Sequence, residues 1–306
     1  MKKRDFLTLK DLSIGELTGL IDRAGQMKEA GPGMTRCPLI GKSVGLLFEK
    51  ASTRTRVSFE TGIYQLGGQS IFLSPRDVQL SRGEPLSDTA RVLSRYLSAL
   101  VVRTYSHGNI ELLAGEATIP VINALTDLSH PCQILADLMT VKEIRGRLEG
   151  AVIAYLGDGN NVANSLIMGC AMTGMHLRLA CPPGYDPDGD FLREGERLAA
   201  SVGGSVQVLR DPAAACDGAH FIYTDVWTSM GQEEEAEKRR HDLKPYQLNA
   251  RRLAEAAPGA RILHCLPAHR GEEITEEMME HPQSAIFDQA ENRLHTQKAL
   301  MEFLVK

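Results

Sequence analysis

The sequence predicts an α/β protein of two domains, each a parallel-sheet αβα sandwich, joined by interdomain helices. Short apolar runs alternate along the chain with stretches of helical period, the pattern of βα units and a parallel sheet. The alternation restarts after Glu149-Gly150, so two halves share one architecture without a sequence repeat. The length of 306 residues suits about two domains, each able to bury its own core. The domain change is expected near residue 140, within the long helix before Glu149.

The elements of the first half follow in order. Residues 5–30 read as an amphipathic helical region, with Asp11 or Ser13 as caps and Pro32-Gly33 as its stop. Val44 to Phe48 reads as a buried strand. It hands over at Ser52-Thr53-Arg54-Thr55-Arg56 to a helix with apolar or aromatic positions at Val57, Phe59, Ile63, Tyr64 and Leu66, closed by Gly67-Gly68. Free N–H groups and the macrodipole at a helix N-terminus favour an anion, and Ser52, Thr53 and Thr55 add hydroxyls, one of them as the cap. Two arginines there oppose the dipole by roughly 0.3–1 kcal/mol each. A local rule broken this way marks a site. A bound dianion reverses the conflict, held by dipole, hydroxyls and a forked guanidinium together. The alternative is a capped helix whose arginines turn to solvent.

Ser70 to Leu73 reads as the next strand, followed by a polar loop, Ser74 to Pro85, that carries Gln79. A helix capped by Ser87 is expected to run to Leu97. Strands follow at Ala99 to Val102, ending at Arg103-Thr104, and at Ile119 to Ile122, ending at Asn123. Ligands of open α/β sheets bind outside the carboxyl ends of the strands. Arg54, Arg103 and the polar run after Ile122 all fall at such ends, which favours a phosphate-bearing substrate. Pro131 suits the first turn of a helix with apolar positions at Ile134, Leu135, Leu138, Met139 and Ile144, stopping near Gly146. His130 and Gln133 lie three apart at its start, where a histidine can donate to a carbonyl oxygen. A structural histidine is the alternative.

In the second half, the strand Ala151 to Leu156 runs into Gly157-Asp158-Gly159-Asn160-Asn161. This opens like a dinucleotide fingerprint, but Val162 takes the third glycine position. The readings left open are a tight strand-to-helix turn and an Asn161 amide presented to a polar ligand. Further strands are expected at 176–180, 205–209, 219–223, 261–265 and 284–287, with helices between. Thr224 to Gly231 holds the single tryptophan, Trp227, beside Asp225 at a strand's carboxyl end. Ser229-Met230-Gly231 is open to the reading of a mobile lip. Gln232 to His241 reads as a solvated helix with Glu234/Lys238 and Glu235/Arg239 as i,i+4 pairs. Cys265 sits at a strand end in His264-Cys265-Leu266-Pro267; a buried inert thiol is the common fate of a cysteine. Gln289 to Arg293 leads into a terminal helix to about Val305.

Composition narrows the function classes. Hydrophobic residues make up 43% and charged residues 24% of the chain, an ordinary globular balance. With a net charge of −5 and no basic block there is no nucleic-acid footprint, so an anion site must be a local positive pocket. The six cysteines, Cys37, Cys132, Cys170, Cys181, Cys216 and Cys265, show no CxxC pairing, which argues against zinc or a disulfide framework and fits a reducing cytoplasm. The basic start, Met1-Lys2-Lys3-Arg4, is not followed by the apolar core of a signal peptide, and no stretch is apolar for long enough to span a membrane.

Four stretches taken in order, Ser52 to Arg56, His130-Pro131-Cys132-Gln133, Asp225 through Ser229-Met230-Gly231, and His264-Cys265-Leu266-Pro267, closely resemble the aspartate/ornithine carbamoyltransferase family. The last two resemble its ornithine branch. The likeness runs from Phe6 to the C-terminal helix. It implies that Ser52, Thr53, Arg54 and Thr55 bind the phosphate of carbamoyl phosphate. Arg103, His130 and Gln133 would hold the carbamoyl end, with Arg103 also reaching the phosphate, and Gln79 would be a further contact. Arg293 and the Cys265-Leu266 backbone would complete that pocket. Asn161, Asp225, Ser229 and Met230 match the ornithine-binding positions. The resemblance further implies a carbamoyl phosphate domain at 1–140, an ornithine domain at 141–290 and a terminal helix, 291–306, that packs back on the first. It implies a homotrimer or trimers assembled further, active sites at subunit interfaces, no metal and no organic cofactor.

The expected chemistry is attack of the ornithine δ-amine on the carbamoyl carbon, with phosphate leaving. Thr55, Arg103 and His130 are the nominated donors to the carbonyl oxygen. Cys265 or Asp225 would orient the amine or take its proton, with the departing phosphate as a competing acceptor. Three rivals remain: a carbamoyltransferase for another amine, differing around Asp225 to Gly231; a dinucleotide-dependent oxidoreductase; and a non-catalytic binder of phosphate and amino acid.

Overall fold

The computed structural model describes residues 3–31, 37–74, 83–228 and 233–306. The chain divides into two compact units, Met1–Met139 with Glu291–Lys306, and Thr140–Ala290.

The first unit opens with a 3₁₀ turn, Leu9–Asp11, and helix α1, Ile14–Ala30. Thr8 and Ser13 each close a capping box, with Asp11 and Glu16, so Ser13 caps α1 while Asp11 belongs to the turn before it. Then come β1 (Ser43–Phe48), α2 (Thr53–Gln65), β2 (Gln69–Leu73), α3 (Leu86–Leu93), β3 (Ala99–Arg103), α4 (His107–Glu116), β4 (Val121–Leu125) and α5 (Pro131–Arg145). The four strands are parallel in the order β2-β1-β3-β4. Val44, Leu46, Leu47 and Phe48 are all buried, as a parallel strand covered on both faces requires.

The second unit carries β5 (Val152–Leu156), α6 (Asn161–Met172), β6 (His176–Ala180), α7 (Gly189–Ser201), β7 (Ser205–Leu209), α8 (Pro212–Cys216), β8 (Phe221–Thr224), α9 (Ala236–Leu243), α10 (Ala250–Glu255), β9 (Arg261–His264) and α11 (Glu276–Met279). Its strands are parallel in the order β7-β6-β5-β8-β9. The terminal helix α12 spans Ile286–Leu304. The expected fold class, two parallel-sheet α/β domains, is what the structure shows.

Several local expectations are corrected. The strand expected at 284–287 is one bridge, Ser284 to Ile262, after which Ile286 and Phe287 begin α12. A short apolar run does not distinguish a strand from a buried helical turn. The fourth strand starts at Val121 rather than Ile119, because Pro120 has no N–H for a ladder. Helix α3 starts after Pro85, so Ser87 lies inside it and caps nothing. On α2, Val57 and Tyr64 face outward, and the buried stripe is Thr55, Phe59, Gly62 and Ile63.

Sheet order places the functional ends. In the first sheet the crossovers reverse direction between β1 and β3, and in the second between β5 and β8. Such switch points leave a crevice at the strands' carboxyl ends. Ser52 to Thr55 follow β1 and Arg103 ends β3; Gly157 to Asn161 follow β5 and Asp225 follows β8.

Candidate functional site

In the first unit, Ser52 is the N-cap of α2. Its backbone is extended, its Oγ accepts from Thr55 N at 3.4 Å, and it donates to Thr55 Oγ1 at 3.0 Å. Thr53 and Arg54 are exposed at the same helix start, where the first amides of α2 have no intrahelical acceptor. Arg56 is engaged elsewhere: Nε pairs with Glu60 at 3.0 Å, and the guanidinium lies 3.6 Å from the Phe72 ring centroid.

Arg293 of α12 is 4% exposed and joins two motifs far apart in sequence. Its Nη1 donates to Gln133 Oε1 at 2.9 Å and its Nη2 to Thr55 Oγ1 at 3.1 Å. Gln133 in turn donates to Asp137 Oδ1 at 2.8 Å. His130, just ahead of α5, is 5% exposed. Burial, then the positive charges of Arg293 and Arg103, hold its pKa well below the ordinary value of 6.5, so it is a neutral imidazole at pH 7. Cys132 is no nucleophile: burial pushes its thiol up to about 12, and its Sγ donates to Asn123 O at 3.2 Å. Arg103 is largely buried at the end of β3.

Lys50 was not singled out by its sequence context. It lies two residues past β1, is largely buried, and sets its Nζ 3.3 Å from the Tyr105 ring centroid. Its strand-end position is the signal that could have found it. Arg293 and Arg103 both act electrostatically on His130, so these two cations share its neighbourhood.

In the second unit, Asp225 is 6% exposed and accepts three hydrogen bonds. Asn160 Nδ2 donates to Oδ2 at 2.7 Å; Cys265 Sγ and Val226 N each donate to Oδ1 at 2.8 Å. Asp225 and Cys265, both singled out in the sequence, are thus in contact. The amide that reaches Asp225 is that of Asn160, the residue before Asn161; Asn161 is the first residue of α6 and half-buried. The glycines of this turn have steric duties. Gly157 sits at φ 132°, and a Cβ on Gly159 would fall 2.2 Å from Pro187 N. Their spacing answers to the turn, not to a dinucleotide.

The helix expected to be a solvated surface is anchored inward. Arg239 is 7% exposed, pairs with Asp158 Oδ2 at 2.8 Å, and donates to Trp227 O at 3.1 Å. Its expected partner Glu235 is also present at 3.2 Å, while Lys238 reaches Asp242 at 3.7 Å. Burial pushes the Asp158 carboxyl upward, and the Arg239 charge offsets that rise.

Behind Cys265, His264 Nδ1 accepts from Leu266 N at 2.9 Å, so its proton is on Nε2, which faces Glu273 Oε1 at 3.2 Å. His264 N donates to Gln289 Oε1 at 2.9 Å. Leu266 has φ 58°, the left-handed region, and is followed by a cis peptide to Pro267. Ligand atoms of Asp225, His264 and Cys265 lie within 4.8 Å of one another. Cys265 is bonded to Asp225, and both imidazole nitrogens of His264 are engaged elsewhere, by Leu266 N and Glu273. Gln79, Ser229 and Met230 lie outside the described residues.

Residues 4–143 match the profile described as aspartate/ornithine carbamoyltransferase, carbamoyl-P binding domain, and residues 149–304 match the one described as its Asp/Orn binding domain. The ornithine carbamoyltransferase of Thermosynechococcus vestitus is 54% identical over 305 residues, covering 100% of this chain and 97% of that protein. Among solved structures, ornithine carbamoyltransferase from Pyrococcus furiosus superposes with a TM-score of 0.96 at 47% identity, covering 99% of this chain and 97% of that one. The enzyme from Gloeobacter violaceus does so with a TM-score of 0.90 at 49% identity, covering 99% of each chain.

Proposed function

The chain belongs to the aspartate/ornithine carbamoyltransferase family, and from that premise we propose that it carries the carbamoyl group of carbamoyl phosphate to the δ-amine of L-ornithine, giving L-citrulline and phosphate. The observation that carries the acceptor half is the Asp225 carboxylate with the Cys265 thiol bonded to it, an anionic end suited to an amine.

The donor is bound by residues 1–140 with the terminal helix 291–306. The α2 N-terminus, Ser52, Thr53, Arg54 and Thr55 take the phosphate, which Arg103 also reaches, while Gln79 is a further carbamoyl phosphate contact and Arg293 completes the pocket. A C–N bond forms as the C–O bond to phosphate breaks. Negative charge builds on the carbonyl oxygen, and Thr55, Arg103 and the neutral His130 are its donors. Losing one such donor typically costs about 10²–10³ in kcat. Gln133 holds the carbamoyl end beside these donors.

The acceptor is bound by residues 141–290 through Asn161, Asp225, Ser229 and Met230. An alkylamine with a pKa of about 10.4 is neutral in only about one molecule in 10³ at pH 7. Asp225 or Cys265 orients the amine or takes its proton, for which the departing phosphate competes. The product enters arginine metabolism, and the working form is a homotrimer or an assembly of trimers in the cytoplasm. No helix among the described residues is long and apolar enough to cross a membrane.

The test is an acceptor panel at saturating carbamoyl phosphate: ornithine, N-acetylornithine, putrescine and aspartate, with Arg54→Ala as control. Ureido product from ornithine alone, lost in the variant, is the expected result. Preference for another acceptor would overturn the ornithine assignment, and no transfer by a folded protein would overturn the activity.

A further inference from the structure

We propose that Asn160 is a positioning residue for the amine acceptor: by capping α6 with one end of its amide and holding Asp225 with the other, it fixes the carboxylate in the orientation that receives the amine. The inference rests on the ornithine reading above.

The geometry leaves the Asn160 amide one orientation. Its Oδ1 accepts from Val162 N at 2.9 Å and Ala163 N at 3.2 Å, the first amides of α6, and faces Tyr155 Oη at 3.3 Å. A flipped amide would point N–H groups at N–H groups, so the network settles the assignment. With the oxygen committed to the helix, Nδ2 points at Asp225 Oδ2, 2.7 Å away. Val226 N and Cys265 Sγ occupy Oδ1. An ionised carboxylate has about four acceptor directions. Three donors from three segments of the chain fill three of them and leave one for an incoming N–H. Without Nδ2, both remaining donors act on Oδ1, and the carboxylate can swing about that oxygen.

Asn160 also sets the first turn of α6, the turn that begins with Asn161. One side chain therefore ties the register of Asn161 to the orientation of Asp225. The titratable groups around it are Tyr155 of β5, Asp158 of the same turn with Arg239 of α9 paired to it, Asp225 after β8 and Cys265 after β9.

Two substitutions separate the duties, because Asn, Asp and Ser cap a helix about equally well. Asn160→Ser keeps an oxygen for the cap and removes the donor to Asp225. The thermal midpoint and the KM for carbamoyl phosphate should stay near wild type, while kcat/KM for ornithine falls about 10- to 10²-fold, the usual weight of a hydrogen bond to a charged group. Asn160→Asp keeps the cap but sets a second carboxyl against Asp225, so the pair holds a shared proton with a raised pKa. Below that pKa the introduced carboxyl, protonated, still donates to Asp225; above it, two charges repel. The ratio of variant to wild-type kcat/KM should then fall as pH rises, a signature that a cap alone does not produce.

Both variants within twofold of wild type across pH 6–9, or losses that follow the thermal midpoint and the carbamoyl phosphate KM, would overturn the positioning role while the activity stands. A wild-type protein unable to carbamoylate ornithine would instead overturn the reading beneath it, and the inference with it.

Discussion

Arg293 and Thr55, 238 positions apart in the chain, are joined by a 3.1 Å hydrogen bond from the guanidinium to the hydroxyl. The same guanidinium holds Gln133 at 2.9 Å. One buried cation on the terminal helix thus ties the Ser52-to-Arg56 motif to the His130-Gln133 motif within a single compact unit.

Arg293→Met removes that tie and leaves two buried polar side chains short of a donor. The expected loss is about 1–3 kcal/mol in stability by urea unfolding, with carbamoyl phosphate affinity by calorimetry reduced about 10- to 10²-fold. An unchanged affinity would remove Arg293 from the donor site.

Cys265 donates to Asp225, so its replacements should rank by donor capacity. Cys265→Ser keeps an O–H and is expected to retain more kcat than Cys265→Ala, with the KM for carbamoyl phosphate less affected than kcat in both. Equal rates for Ser and Ala would show that the bond to Asp225 is not used in turnover.

The Arg239–Asp158 pair is buried on both sides. Arg239→Met strands the carboxylate and is expected to destabilise by about 3–5 kcal/mol, whereas Asp158→Asn combined with Arg239→Met should cost less than the single change. A double-mutant cycle on urea midpoints reads this; additive losses would show that the pair is not coupled.

His130 is kept neutral, its pKa lowered by burial and by Arg293 and Arg103. Between its folded pKa and 6.5 the unfolded chain binds the extra proton, so stability is full above 6.5 and declines as pH falls below it, by up to about 1.4 kcal/mol per pH unit for this group. His107 and His295, also lowered by burial, act with the same sign. Urea midpoints at pH 5 and 7.5 measure the difference. Activity should rise from pH 7 toward alkaline values as the amine loses its proton, with no inflection at 6.5 from His130; a flat profile would contradict neutral-amine attack.

The central strands were legible because both of their faces are covered, which writes continuous apolar runs into the sequence, as in β1, β3 and β8. The strand-end positions of Arg103, Asp225 and Cys265 followed from those runs. What was not legible lies in pairings across long separations. Arg239 sits in a run of charges that looks solvated, and only its partner 81 positions away explains its burial. Asn160 and Asn161 are indistinguishable by type, and the start of α6 decides which one caps. Helix α4 has too little amphipathic contrast to announce itself, although Ile110, Leu113 and Ala114 pack into the core.

The central claim is tested most directly by following the carbamoyl carbon. With ¹³C-labelled carbamoyl phosphate and ornithine, the label should appear in the ureido carbon of citrulline, one phosphate being released for each citrulline formed. Phosphate release with the label passing to carbamate or bicarbonate, and no ureido carbon, would contradict it.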